Sequence, residues 1–342
     1  MTRWAMWTLM ALTACGSKDD GGTAADTDTD TDTDTDTDTD TDSDGDADAD
    51  ADADTDTPAT GDTGTGPSAA DQPIGVVVLP EAYLSFHDVE FGNGVFVALG
   101  ASDRFTSTDG LSWERTGAAG FGTPFLDVTF DGIQFVSHGG SLEVSTDGVT
   151  WTEVSPNQCN LQCLGMMELV GGSTWVGVGG DVFRSDDLDT WSTVGLGQVG
   201  GLSHIGGDGT TVLVADFGGQ VALSTDGGQS FGPFVDTGTQ DVFDIEWVDG
   251  EWVVVTDDGL YTSPDAQTWT ERSLRFGNGI ATDGAWWALA ADGYLMLGDA
   301  LETIAADPKQ DPSLAVTWED VAFGNDFLVV VGEGIAAGNP SL

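Results

Sequence analysis

From residue 86 onward the apolar positions fall in short paired runs, each pair broken by a tight polar turn. Asp88-Val89-Glu90-Phe91 is followed by Val95-Phe96-Val97-Ala98, Asp127-Val128-Thr129-Phe130 by Gln134-Phe135-Val136-Ser137, and Asp244-Ile245-Glu246-Trp247 by Glu251-Trp252-Val253-Val254. Asp320-Val321-Ala322-Phe323 with Phe327-Leu328-Val329-Val330 is a fourth clear copy. Period-two alternation, β-branched and aromatic enrichment, and Gly-Asn-Gly or Asp-Gly between the runs predict β-hairpins.

Downstream of each hairpin a second pattern recurs. Ser107-Thr108-Asp109-Gly110-Leu111-Ser112-Trp113 returns as Ser145-Thr146-Asp147-Gly148-Val149-Thr150-Trp151, and more loosely around Ser185, Asp187 and Trp191, and around Ser263, Asp265 and Trp269. The copy with Ser224, Asp226 and Phe231 is one residue longer. The serines are 38, 40, 39 and 39 residues apart, and degenerate copies at Leu297-Gly298-Asp299 and Ala337-Gly338-Asn339 bring the count to seven. Four short strands per unit at this period predict an all-β chain folded as a seven-bladed β-propeller over residues 74–342, with six or eight blades as the alternatives. The last unit, from Trp318, is one strand short, whereas Val76-Val77-Val78-Leu79 precedes the first full unit. The N-terminal run is therefore expected to close the ring as the missing outer strand, removing two exposed edges.

The Ser-x-Asp-Gly-x-x-Trp element resembles the Asp box, or BNR repeat, of sialidase-like propellers. Its Asp and Ser accept hydrogen bonds from turn amides, Gly supplies positive φ, and the aromatic ring caps the hairpin, so these residues are expected to be structural. The resemblance does not carry sialidase chemistry. Arg115 and Arg272 fall on expected outermost strands, Arg184 directly precedes a motif serine, and the Arg-Ile-Pro motif of that family is absent.

The first 73 residues read differently. Met1 to Ala14 has Arg3 followed by an apolar stretch from Trp4 to Leu12, the pattern of a secretory signal too short to span a bilayer. Leu12-Thr13-Ala14-Cys15-Gly16 resembles the lipobox of bacterial lipoproteins, which implies signal residues 1–14, a lipidated Cys15 and a membrane held only through acyl chains. Gly16 after the cysteine resembles the default route to the outer membrane of Gram-negative cells. Residues 15–73 then form the expected linker. From Asp26 to Asp56 every second residue is Asp, which cannot bury apolar surface and extends by self-repulsion, to at most ~170 Å for some fifty residues. Asp40, Asp42, Asp44 and Gly45 match the start of a calcium loop, but Ala51 stands where its closing Glu belongs.

Charge narrows the function. The chain has 59 acids against 8 bases and a net charge of −51. The 20 aspartates between Asp19 and Asp71 leave 39 acids and six bases for the rest, near −33. Such a surface excludes nucleic acid as a partner and attracts divalent cations diffusely. Asp88, Asp127, Asp244 and Asp320 recur at the start of the first strand of four units, where they would either gather as a cation-binding ring or, as the preferred expectation, make a repeated hairpin or capping hydrogen bond. His87, His138 and His204 show no ligand spacing. Gly195-Leu196-Gly197-Gln198-Val199-Gly200 matches a dinucleotide fingerprint only in letters and reads as a loop between units. Cys159 and Cys163 are expected to form a local disulfide in an oxidising compartment. No cofactor is expected. The sequence thus predicts an extracytoplasmic, lipid-anchored, non-catalytic module that binds or scaffolds a protein, glycan or envelope partner. The alternative is a glycan-active hydrolase with carboxylates at the channel mouth.

Overall fold

Asn93-Gly94 and Asp249-Gly250 show how the local sequence sets the hairpins. All four residues have positive φ (49°, 80°, 51° and 86°), the pairing that matches the twist of adjacent strands in a two-residue turn. In the computed structural model the described residues are 74–77, 79, 85–100, 102–118, 126–139, 141–154, 168–196, 201–306 and 316–340. Cys15, the acidic repeat, Cys159, Cys163 and Lys309 lie outside them. Of the two compact units, Met1–Asp62 falls wholly outside this set, and Thr63–Leu342 contains everything that follows.

The described residues form seven four-stranded antiparallel sheets, the blades of a β-propeller. Blades 1 to 6 cover residues 86–118, 127–154, 168–194, 202–236, 242–273 and 279–306. In each, four strands follow one another outward from the axis. Among the described residues the one helical segment is the 3-10 turn Leu301–Thr303.

Blade 7 takes three strands from residues 318–338 and its outermost from Gly75–Val76, with Gly75 opposite Ala337 and Val76 opposite Ala336. The N-terminal run closes the ring as the sequence predicted.

The core lies in the seams between blades rather than inside any blade. Seven clusters of buried side chains each draw on two neighbouring blades. At the closing seam Phe96 of blade 1 packs on Phe327 of blade 7, ring centroids 5.1 Å apart, with Val77 of the N-terminal strand in the same cluster. A single sheet of this kind has two apolar faces and no means of burying them alone. Closure into a ring is what buries both.

The Ser-x-Asp turns join the third and fourth strands. In blade 1 Asp109 Oδ1 accepts from Ser107 Oγ (3.1 Å), Leu111 N (2.9 Å) and Ser112 N (2.7 Å), while Trp113 Nε1 donates to Gly110 O (2.8 Å). The same set recurs on Asp147 with Ser145 and Trp151, and on Asp187 with Ser185 and Trp191. In blade 5 Ser263 and Asp265 repeat it, but Trp269 Nε1 finds no acceptor. In blade 4 the extra residue shifts the amide contact of Asp226 to Ser230 N (2.9 Å), and Phe231 has no ring N–H to donate. Gly110 has φ +68°, and a Cβ there would stand 2.6 Å from the Phe327 ring of blade 7. Gly110→Ala is therefore expected to cost about 2 kcal/mol or more, from left-handed strain and overpacking together, read as a lowered urea midpoint at unchanged m value.

Candidate functional site: the acidic channel

The innermost strands of blades 1, 4, 5 and 7 skip register immediately before Asp88, His204, Asp244 and Asp320. A bulge of this kind re-aims the following side chain, and Asp88, Asp244 and Asp320 each reach the next blade, whereas His204 faces the preceding one. Asp320 Oδ2 accepts from Val89 N (2.9 Å), Asp88 from Val128 N, Asp127 Oδ2 from Leu169 N (3.0 Å), Glu168 Oε2 from Ile205 N (2.9 Å) and Asp244 Oδ2 from Ile280 N (2.8 Å). Five of the seven seams are thus laced by a carboxylate that takes the neighbouring blade's innermost amide.

The two exceptions follow from the residue at the same position. Blade 4 carries His204, whose Nε2 lies 3.3 Å from Glu168 Oε1, and Ile245 N turns to Asp244 of its own blade (2.7 Å). Blade 6 carries Gly279, where a Cβ would stand 2.6 Å from Asp320 Oδ1, and Asn278 Nδ2 bridges that seam to Trp318 O (2.7 Å).

The recurrent aspartates do gather, but the bond they make is neither within a hairpin nor a cap. It runs between blades, which the sequence reading did not anticipate. Among the described residues no three His, Cys, Asp or Glu side chains are arranged to hold a metal ion. The histidines are less ordinary than their spacing suggested: His138 is buried with Nε2 3.3 Å from Asp127 Oδ2, and His204 pairs with Glu168 as above. Glu168 escaped notice because it replaces Asp at that position. Its step of 41 residues from Asp127 was the available signal.

One step further along the same strands stand Glu90 and Glu246, each two residues beyond a ring aspartate and so on the same strand face. Burial, then the charges of Asp244, Glu90 and Asp320, push Glu246 well above the usual carboxylate range. Burial raises Glu90 to about 8 despite the hydrogen bond from Phe91 N, with Asp320 and Asp127 adding to the rise. Asp244 is pushed up to about 7 by burial and the charge of Asp320, and Asp320 to about 6 by burial, opposed by the hydrogen bonds it accepts. Asp88 and Glu168 are raised well above their ordinary values by burial and then by neighbouring carboxylates. Groups from five blades therefore share one confined space, in which Glu90, at about 8, keeps its proton at neutral pH, Asp244, at about 7, is partly protonated, and Asp320, at about 6, is mostly ionised.

The arginines are placed elsewhere. Arg104 is buried between Glu143 (2.9 Å) and the face of Trp151 (3.6 Å to the ring centroid). Arg115 pairs with Asp103, Arg184 with Asp186, and Arg272 with Glu251 and Glu302. Arg115 and Arg272 lie on the outermost strands of blades 1 and 5, so among the described residues no set of three arginines converges on one place. Residues 195 and 196 follow the last strand of blade 3, as a loop between units requires.

No protein-family model matches the sequence, and no curated protein does either. Solved structures do match in fold. Virginiamycin B lyase from Staphylococcus aureus, solved as a catalytically inactive variant with quinupristin, superposes with a TM-score of 0.65 at 11% identity over 78% of this chain and 98% of that one. YCF48 bound to a D1 peptide gives 0.61 at 16% identity, covering 79% of this chain and 96% of that one. PorZ, a surface component of the type-IX secretion system of Porphyromonas gingivalis, gives 0.55 at 12% identity over 77% of this chain but 37% of that one. At these identities the likeness is one of fold.

Proposed function

We propose that this chain is a lipid-anchored, extracytoplasmic propeller that binds or scaffolds an envelope partner without catalysing a reaction. One observation carries this reading: the channel carboxylates are engaged by the backbone of neighbouring blades at five seams, which makes the centre of the ring a structural hub. The lipobox-like run at Cys15, the long acidic linker and a Cys159–Cys163 disulfide suit a domain held away from a membrane in an oxidising space. The Asp-box resemblance supports kinship in fold with sialidase-like propellers, with Ser107, Asp109, Trp113 and their counterparts as turn-forming residues. PorZ, a bacterial surface component, and the extracellular domain of BT4673 from B. thetaiotaomicron match this fold, and YCF48 was solved bound to a peptide. The fold also serves lyases, so it does not choose between binding and catalysis by itself.

A second reading rests on Glu90 and Glu246, which stand outside the interblade lacing and hold protons near neutral pH, as a general acid in a glycan hydrolase must. The two are separated by presenting the domain from Ala69 onward with envelope glycans and with envelope extract. Saturable retention of a partner with no glycan cleavage is the expected result. Cleavage abolished by Glu90→Gln or Glu246→Gln would replace the binding reading with the hydrolase.

A further inference from the structure

Six large apolar side chains are prominently exposed among the described residues, and three of them belong to two segments at the same end of the blade 5 and blade 6 sheets. Leu274 and Phe276 are 71% and 57% exposed in the loop that leads from blade 5 into blade 6, and Tyr294 is 56% exposed at the start of the third strand of blade 6. The backbone brings the two segments to the same end of blade 6. Gly277 lies against Ala290 O, Asn278 N donates to the same oxygen (2.7 Å), and Ala291 pairs directly with Tyr294. This is the end of the sheet where the innermost strand begins, beside Gly279 and the Asp320 carboxylate.

Between Leu274 and Phe276 stands Arg275, exposed, and the one arginine among the described residues with no carboxylate partner. In a domain with 39 acids and six bases after residue 71, a cation left unpaired between two exposed apolar side chains is the exception to the surface pattern.

We propose that this lip of blade 6 docks an apolar peptide segment bearing a single carboxylate, with Arg275 pairing the carboxylate and Leu274, Phe276 and Tyr294 covering the apolar side chains. The proposal deepens the binding-module reading and rests on it. Charge complementarity sets the occupant: a guanidinium recognises a carboxylate bidentately, while the strongly negative field of the domain turns away polyanions. The chain's own acidic repeat offers the lip no apolar side chain larger than Ala and is excluded on that ground.

The test uses the full chain in detergent and fluorescein-labelled hexapeptides whose last two positions run over all pairs of Val, Leu, Ile, Phe and Tyr. Each is made as the C-terminal free acid and as the amide. Free acids are expected to bind by anisotropy, with amidation and Arg275→Ala each weakening binding about tenfold or more, and Phe276→Ala weakening both forms. The exposed positions leave the melting temperature of the variants unchanged. The proposal falls if amides bind as well as acids, if Arg275→Ala binds unchanged, if no peptide binds at about 1 mM, or if a uronate-terminated oligosaccharide binds in their place. In any of these cases saturable retention of an envelope protein by the same chain leaves the binding module standing, whereas its loss with glycan cleavage removes both.

Discussion

A domain that begins at residue 79 is expected to melt about 10 °C below one that begins at residue 69, and to associate as its concentration is raised. The difference between the two is the closing strand. Val77 N donates to Ile335 O at 2.8 Å, and Gly75 and Val76 pair with Ala337 and Ala336. Val77 is buried in the cluster that joins blades 7 and 1, and Ile74 packs on the one that joins blades 6 and 7. Two or three backbone hydrogen bonds at ~1 kcal/mol each and one buried Val at ~2 kcal/mol give about 4 kcal/mol. For a domain of this size each kcal/mol moves the midpoint by roughly 2–4 °C. Loss of the strand also bares the edge of Ile335–Gly338, a ready template for a second chain. Calorimetry and size-exclusion chromatography of the two proteins check this, and equal melting points would show that the ring does not depend on its N-terminal strand.

Stability is expected to peak near pH 4–5 and to fall steeply by pH 9. Glu90, raised in the folded protein to about 8, holds its proton more tightly there than in the unfolded chain. Its contribution is complete below its unfolded value and is lost as pH climbs through 8. Asp244, at about 7, and Asp320, at about 6, act in the same direction across a lower window. Every tenfold tightening of proton binding on folding corresponds to about 1.4 kcal/mol, so the three carboxyls together lower the midpoint by about 10 °C or more between pH 5 and pH 9. The turn aspartates give the opposite limb. Asp147 and Asp226 are held near 2, the first chiefly by backbone amides and the second by the Ser230 side chain and amide, so their contribution is lost as pH falls toward 2. Glu90→Gln keeps an oxygen for Phe91 N at 3.0 Å and needs no proton, so it should flatten the alkaline limb. Asp244→Asn should also flatten the limb but keeps an oxygen for only one of Ile280 N and Ile245 N, at a pH-independent cost of about 1 kcal/mol or more, whereas Asp244→Ala leaves both amides without that acceptor and destabilises further at every pH. A profile that is level from pH 5 to 9 would contradict the shared, confined space at the channel.

Much of the fold was written locally. The hairpins could be read because Asn93-Gly94 and Asp249-Gly250 carry their turn chemistry in two adjacent residues, and the Ser107–Trp113 element satisfies its own amides within seven positions. Their recurrence gave the number of blades, and the missing strand of the last unit gave the closure. The channel was legible only in part. Asp88, Asp127, Asp244 and Asp320 were visible as a periodic set, but their partners are amides about 36 to 42 residues away, or 231 for Asp320, and only ring closure makes those neighbours. Glu90 and Glu246 drew no attention because a Glu in a half-buried strand is unremarkable until five blades place their carboxylates around one axis.

By itself, then, the sequence determined the strand, the turn and the repeat, because these depend on contacts within a few residues. It also determined the formal charge of −51, a count of residues that needs no fold. Only the tertiary structure decided which carboxylates share a dielectric environment, which blade breaks the ring at Gly279, and that Arg275 is left without a counter-ion. Those properties are set by distances between chain segments that the sequence keeps far apart.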